Sequence, residues 1–209
     1  DGAISAHQAA RTAVQGAIMP DQPVTNGFRL PADLIDGEGF FLRRLTVDDC
    51  TMDYVRWLND PRVNRFLETR FSTQTLESIR SFVAEKASSS TEFLYGIFAG
   101  EEARHIGNIK LGPVRIPHLS AAVSLFIGDE TWWGKGIASK AIAILSKHAF
   151  DHMGLQKLHA GMYEANKGSL NAFLKAGYHE EGLLRSHVMD GDVRSDIHLV
   201  GIVAGDINR

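Results

Sequence analysis

From Phe40 onward, short runs of alternating apolar and polar residues are interrupted by a few stretches with apolar spacings of three and four. Phe40-Phe41-Leu42-Arg43-Arg44-Leu45 reads as a first strand, and Thr46-Val47-Asp48-Asp49 offers Asp or Thr caps for a helix through Leu58. Asn59-Asp60-Pro61 closes that helix, because a residue before proline is pushed out of the α region. Ser72 or Thr73 starts a second helix with Leu76, Ile79, Phe82 and Val83 on one face. Strand-like runs at 92–99, 105–112 and 120–128, separated by short turns, predict an antiparallel meander. A longer helix then buries Ile137, Ala141, Ile144, Leu145, Ala149 and Phe150, and Gly154 is its stop. A strand at 157–162 and a helix at 167–176 follow. The last two strands, 182–189 and 193–203, turn at Asp190-Gly191-Asp192. The predicted order is β-α-α-β-β-β-α-β-α-β-β, a mixed α+β domain without internal repeats.

Residues 1–38 differ from the rest, with Pro20, Pro23, Pro31 and scattered glycines, and are assigned as an N-terminal extension ahead of a domain at 39–209. An Ala-rich stretch at 3–18 suits one short helix. It lacks the basic start and compact apolar centre of a signal peptide. The formal net charge of −3 excludes the basic surplus expected of a dedicated nucleic-acid binder. The densest apolar run, Ala141-Ile142-Ala143-Ile144-Leu145, is far short of the ~20 residues of a membrane span. The single Cys50 admits no internal disulfide, so a reducing, cytoplasmic setting is expected.

The most informative segment is Trp132-Trp133-Gly134-Lys135-Gly136-Ile137-Ala138-Ser139, between the end of a strand and the start of the long helix. Two glycines and an alanine let the backbone turn tightly and approach a ligand closely. The free amides and positive dipole end of the helix that follows suit a pyrophosphate. The spacing fits neither a dinucleotide fingerprint nor a Walker loop.

Together, Val123-Ser124-Leu125-Phe126-Ile127 and Trp133-Gly134-Lys135-Gly136-Ile137-Ala138 resemble the central motif of the GNAT acyltransferase superfamily, Gln/Arg-x-x-Gly-x-Gly/Ala. Trp133 stands in the Gln/Arg place, a departure in residue type. Asn166-Lys167-Gly168-Ser169, Lys175-Ala176-Gly177-Tyr178 and Gly182-Leu183-Leu184-Arg185 resemble later motifs of the RimJ/RimL-like branch. The resemblance spans about 40–203. It implies a three-layer fold, with a mostly antiparallel twisted sheet, splayed at its centre and flanked by helices.

The resemblance further implies an acetyl-CoA-dependent N-acetyltransferase acting by direct attack of a neutral amine on the thioester within a ternary complex. The pantetheine would bond backbone groups around Leu125 and Ile127, and the loop Trp133, Gly134, Lys135, Gly136, Ile137, Ala138 and Ser139 would hold the pyrophosphate. Asn166, Asn171 and Phe173 would flank the cofactor arm. The amide of Phe126 would stabilise the oxyanion, and a general acid would protonate the departing thiolate. Many members use a Tyr as that acid where this chain has Phe173; Ser169 is the substitute, unless its hydroxyl only bonds its own helix start and a water serves. Glu68, Glu92, His105 and His118 border the expected acceptor cleft without one standing out as base.

Glu68 and Arg70 are assigned to acceptor binding, Glu68 toward a cationic amine and Arg70 toward an anionic group, although the two could equally form an exposed ion pair. A primary amine of a small polar molecule is the favoured acceptor. A protein N-terminus, as for ribosomal proteins, or a non-catalytic acyl-CoA-sensing domain are the alternatives. His148 and His152 have the spacing of a metal pair but no visible third ligand, so no metal is expected. The last strands or the N-terminal arm offer a homodimer surface, and neither nucleic acid nor membrane is an expected partner.

Overall fold

The structure is a computed structural model, and it describes residues 27–207. The Ala-rich stretch at 3–18 lies outside them. Eight strands form one sheet: β1 (Leu34–Gly37), β2 (Phe40–Arg44), β3 (Phe93–Ala99), β4 (Arg104–Arg115), β5 (Ser120–Ile127), β6 (Lys157–Tyr163), β7 (His179–Asp190) and β8 (Val193–Val203). Their spatial order is β1-β2-β3-β4-β5-β6-β8-β7. The sheet therefore takes in residues 34–37, and Phe28 is fully buried in the core. The folded unit begins before residue 39, because β1 pairs with β2 from Leu34↔Arg43 to Gly37↔Phe40 and covers an edge otherwise left open.

The helices are α1 (Met52–Asn59), α2 (Pro61–Asn64), α3 (Leu76–Ser88), α4 (Ile137–Asp151) and α5 (Lys167–Lys175). Two starts fall later than the sequence predicts. Thr46 and Asp49 cap a separate 3-10 turn (Val47–Asp49), and α1 begins only after Thr51, whose hydroxyl accepts from the Tyr54 amide. Helix α3 begins after Thr75, which exchanges bonds with Ser78 in a capping box, rather than at Ser72 or Thr73. In both cases a nearby cap residue with better-placed partners takes the start.

Burial divides into two clusters, one on each face of the sheet. Ile137, Ala141, Ile142, Leu145 and Ala149 of α4, with Leu170 and Phe173 of α5, pack on Ile97, Ile109, Val123 and Leu158. On the other face, Tyr54, Trp57 and Leu58 of α1 and Ile79 and Val83 of α3 pack on Phe41, Leu94 and Phe98. Gly128 ends β5 under Trp57; any Cβ there would overlap the indole, so a glycine is what lets α1 lie against that strand end. Phe82 does not join this core. It is 39% exposed and turns toward the cavity described below.

His148 shows how the helix layer holds the sheet's first edge. Its Nε2 accepts the Ala32 amide at 3.1 Å, just ahead of β1. Burial, reinforced by the neighbouring His152, pushes the imidazole down to about 4 from an ordinary 6.5. Since the folded state resists protonation, this histidine's contribution is complete above pH 6.5. It is lost as pH falls toward 4, where the unfolded chain binds the proton first. The expected loss is about 1–3 kcal/mol across that window. Thermal melts from pH 7.5 to 4.5 check it: His148→Gln should have a shallower acid slope than the parent chain, and equal slopes would refute the assignment. His148 is thereby engaged as a backbone acceptor. No group of three or more His, Cys, Asp or Glu side chains among the described residues is placed to hold a metal.

Candidate active site

Strands β5 and β6 run parallel and pair only at Ser120↔Lys157, Ala121↔Leu158 and Ala122↔His159. Beyond that point they part. β5 continues paired to β4 as far as Gly107↔Ile127, and β6 stays paired to β8 as far as Tyr163↔Ile197. The result is a wedge with two unsatisfied strand edges facing each other, and main-chain groups in such a place call for a ligand or water.

The ladder decides which amides face the wedge. In an antiparallel pair, alternate residues turn both N–H and C=O toward the partner strand. Gly128 donates to the Ile106 carbonyl at 2.8 Å, so 106 and 128 form a bonded pair, and the unbroken register makes Asn108↔Phe126 another. Phe126 therefore directs its amide at β4. This corrects its assignment as the oxyanion donor. The groups left facing the wedge belong to Leu125 and Ile127, and the Ile127 carbonyl already accepts from the Trp133 indole N–H at 2.8 Å.

The glycine loop lies at the open end of the wedge. Gly134 and Gly136 have φ of +72° and +76°, and Gly136 is the N-cap of α4. Helices α1, α2, α3 and α5 are each capped by a side chain, from Thr51, Asp60, Thr75 and Asn166. Helix α4 has none, so its first amides lack both an intrahelical and a side-chain acceptor. A Cβ on Gly134 would meet nothing within 4 Å, and one on Gly136 only the Ser139 hydroxyl at 4.0 Å. The cradle is open, exposed and lined with donors. Residues 134–139 thus fit the diphosphate of coenzyme A. Trp132 packs against the core beneath the loop, with the Lys135 ammonium 5.0 Å above its ring.

The wedge opens inward into a cavity of about 650 Å³ bounded by β4, β5, β6, α1, α3, α5, the turn at 66–69 and β7. Asn166, Ser169 and Phe173 line it, three and four positions apart and so on one face of α5. Asn166 Oδ1 accepts the Ser169 amide at 3.1 Å, and the Ser169 hydroxyl has no hydrogen-bond partner among the described residues. Phe173 is buried, edge-on to Tyr178 at 4.9 Å. Asn171 is not brought to the cavity. Two residues beyond Ser169, it falls on the exposed side of the helix.

The acceptor side is more constrained than the sequence suggests. Glu68 lines the cavity, and its carboxylate accepts from the Tyr163 hydroxyl at 2.7 Å. Burial and that carboxylate raise the Tyr163 pKa. Arg70 does not point at a substrate. It donates to the Arg65 and Met189 carbonyls and to Tyr163, lying 4.7 Å over that ring, and so ties the 3-10 turn Glu68–Phe71 to β6 and β7. Glu92 is no base. Bonds from Lys110 and Lys86, at 2.8 and 2.6 Å, hold its carboxyl below the usual range. His118 is exposed at the closed end of the wedge, beside the residues where β5 and β6 still pair. His105 is half-buried beneath α1, and desolvation there lowers its pKa.

Among the cavity residues without a sequence signal strong enough to single them out are Asn108, Tyr163 and His187. A polar side chain inside the apolar run Ile106-Gly107-Asn108-Ile109 is a weak signal for the first. Tyr163 and His187 needed the packing. The β7/β8 register breaks between Leu184 and Val188, Ser186 has φ +50°, and its amide donates to Asp196 at 2.7 Å. That bulge carries His187 to the cavity rim.

Residues 40–179 match the acetyltransferase (GNAT) domain family. The chain belongs to the GNAT acetyltransferases: it is an N-acetyltransferase that uses acetyl-CoA. It is 28% identical over 182 residues to the probable N-acetyltransferase YjcK of Bacillus subtilis, covering 83% of this chain and 98% of that one. Its fold is similar to spermidine N-acetyltransferase from Vibrio cholerae in complex with CoA and spermine, with TM-score 0.73, 17% identity, and coverage of 83% and 100%. It is also similar to Mycobacterium smegmatis RimJ in complex with CoA-disulfide, with TM-score 0.70, 19% identity, and coverage of 81% and 84%. Among the described residues, no helix is long and apolar enough to cross a membrane.

Proposed function

We propose that this chain, a member of the RimJ/RimL-like branch, acetylates a primary amine of a small polar molecule by direct transfer between two substrates held together. The observation that carries this reading is the Glu68 carboxylate on the wall of a cavity continuous with the cofactor wedge. A carboxylate so placed draws in an ammonium group and holds it. The V. cholerae protein of like fold binds spermine, which is consistent with a small amine.

Acetyl-CoA supplies the acetyl group as an activated thioester. This chain's part is to align the donor and the amine. Amides at the start of α4 would hold the diphosphate, and Leu125 and Ile127 offer the wedge-facing main-chain groups, including the donors that take over from Phe126. Ser169, its hydroxyl unengaged on the cavity wall and its backbone held by the Asn166 cap, would supply the proton to the leaving sulfur. Phe173, which has no proton to give, keeps that wall apolar.

Thiol release measured with a panel of amino alcohols, amino sugars, diamines and peptides with free N-termini tests the reading. Small amines are expected to be turned over and peptides to be inert; release with peptides alone would make the chain a protein N-terminal acetyltransferase. Glu68→Gln removes the charge but keeps an oxygen for Tyr163. The acceptor KM should rise about tenfold, equivalent to ~1.4 kcal/mol, with coenzyme A affinity unchanged. An unaltered KM would remove Glu68 from the acceptor site.

A further inference from the structure

Asn108 is only 2% exposed, lines the cavity from β4, and its Nδ2 has no hydrogen-bond partner. Buried amide donors are nearly always satisfied, so one left over on a cavity wall points to a ligand. Its other end is clamped. Oδ1 lies 2.7 Å from His105 Nε2. That imidazole is stacked on Phe98 at 5.1 Å and met edge-on by Trp57 at 5.3 Å and Tyr54 at 5.9 Å. With the ring proton on Nε2, Oδ1 is its acceptor. The amide therefore presents N–H to the cavity. The Tyr54 hydroxyl lies beside it without a hydrogen bond of good geometry, so Asn108 has no acceptor there.

We infer that Asn108 is a specificity determinant of the acceptor site: it donates to a hydroxyl or carbonyl oxygen that the acceptor carries several bonds from its reacting nitrogen. This rests on the small-amine reading above. The position excludes a role at the acetyl group. Asn108 is on β4, and the whole of β5 separates it from the wedge. At ~4.8 Å per strand, it is about 10 Å from the line of the cofactor. An acceptor lying from the wedge to β4 brings its far end to the amide. A plain polyamine would meet it with another donor, whereas an amino alcohol or amino sugar brings a lone pair. Lys110, also on the wall, is neutralised by Glu92 and adds no free charge to attract an acid.

Aminopentanol, pentylamine and diaminopentane, matched in length, provide the test. Binding of each to the coenzyme A-loaded protein is measured by calorimetry, and kcat/KM by thiol release, for the parent chain, Asn108→Leu and Asn108→Asp. The parent should favour aminopentanol over pentylamine by about ten- to hundredfold. Asn108→Leu should abolish that preference, and Asn108→Asp, which still accepts from His105, should shift it to diaminopentane. An equal loss for all three amines in both variants would make Asn108 structural and overturn the inference. So would a parent preference for diaminopentane, which would place Oδ1 toward the cavity. Binding with the expected preference but no turnover would instead sink the small-amine function and leave the Asn108 assignment standing.

Discussion

Gly136→Val is expected to abolish coenzyme A binding while the protein remains folded. Gly136 has φ +76° and caps α4 without a side chain. Within the protein, a Cβ there meets only the Ser139 hydroxyl at 4.0 Å, so its attachment causes no clash. The stability cost is then that of holding a β-branched residue in the left-handed region, about 1–2 kcal/mol. Binding suffers more. The branched side chain fills the volume through which the diphosphate reaches the amides of 137–139, and relaxing φ would turn those amides away. A fall in affinity of at least about a hundredfold, ~2.7 kcal/mol, is expected by calorimetry, with a melting temperature only a few degrees lower. Near-parental affinity would remove the loop from the cofactor site.

The second large effect is at Ser169. Ser169→Ala should lower kcat by about 10²–10⁴-fold, the range associated with losing a positioned proton donor, and leave coenzyme A affinity intact. The substitution keeps the α5 cap, because Asn166 accepts from the Ser169 amide and not from its hydroxyl. Loss of activity through a frayed helix is thereby separated from loss of a proton donor. Steady-state kinetics with a saturating amine give the answer. A change of less than about threefold would transfer the role to water, given that Phe173 cannot serve.

Gly134, Gly136 and Ala138 were legible as a cradle because positive φ, an uncapped helix start and close approach are local demands that residue type alone expresses. Asn166 and Ser169 were legible for the same reason, as neighbours on one turn. Asn171 was misplaced only because its side of α5 depends on which face packs. Arg70 and Glu92 are decided by distant partners: Arg70 is held by groups from β6 and β7, and Glu92 by Lys86 and Lys110. Phe126 failed by parity: one residue of ladder alternation decides whether an amide faces β4 or the wedge.

Hydrophobic periodicity and turn residues, acting over a few positions, were thus enough to specify the element order from β2 to β8 apart from the short α2, the two helix-packing faces and the glycine loop. Strand order, the parting of β5 from β6 and the inward turn of Asn108, Tyr163 and His187 depend on contacts between segments distant in the chain. Side-chain direction and charge partners are set by packing across those contacts, and a linear pattern carries no term for them.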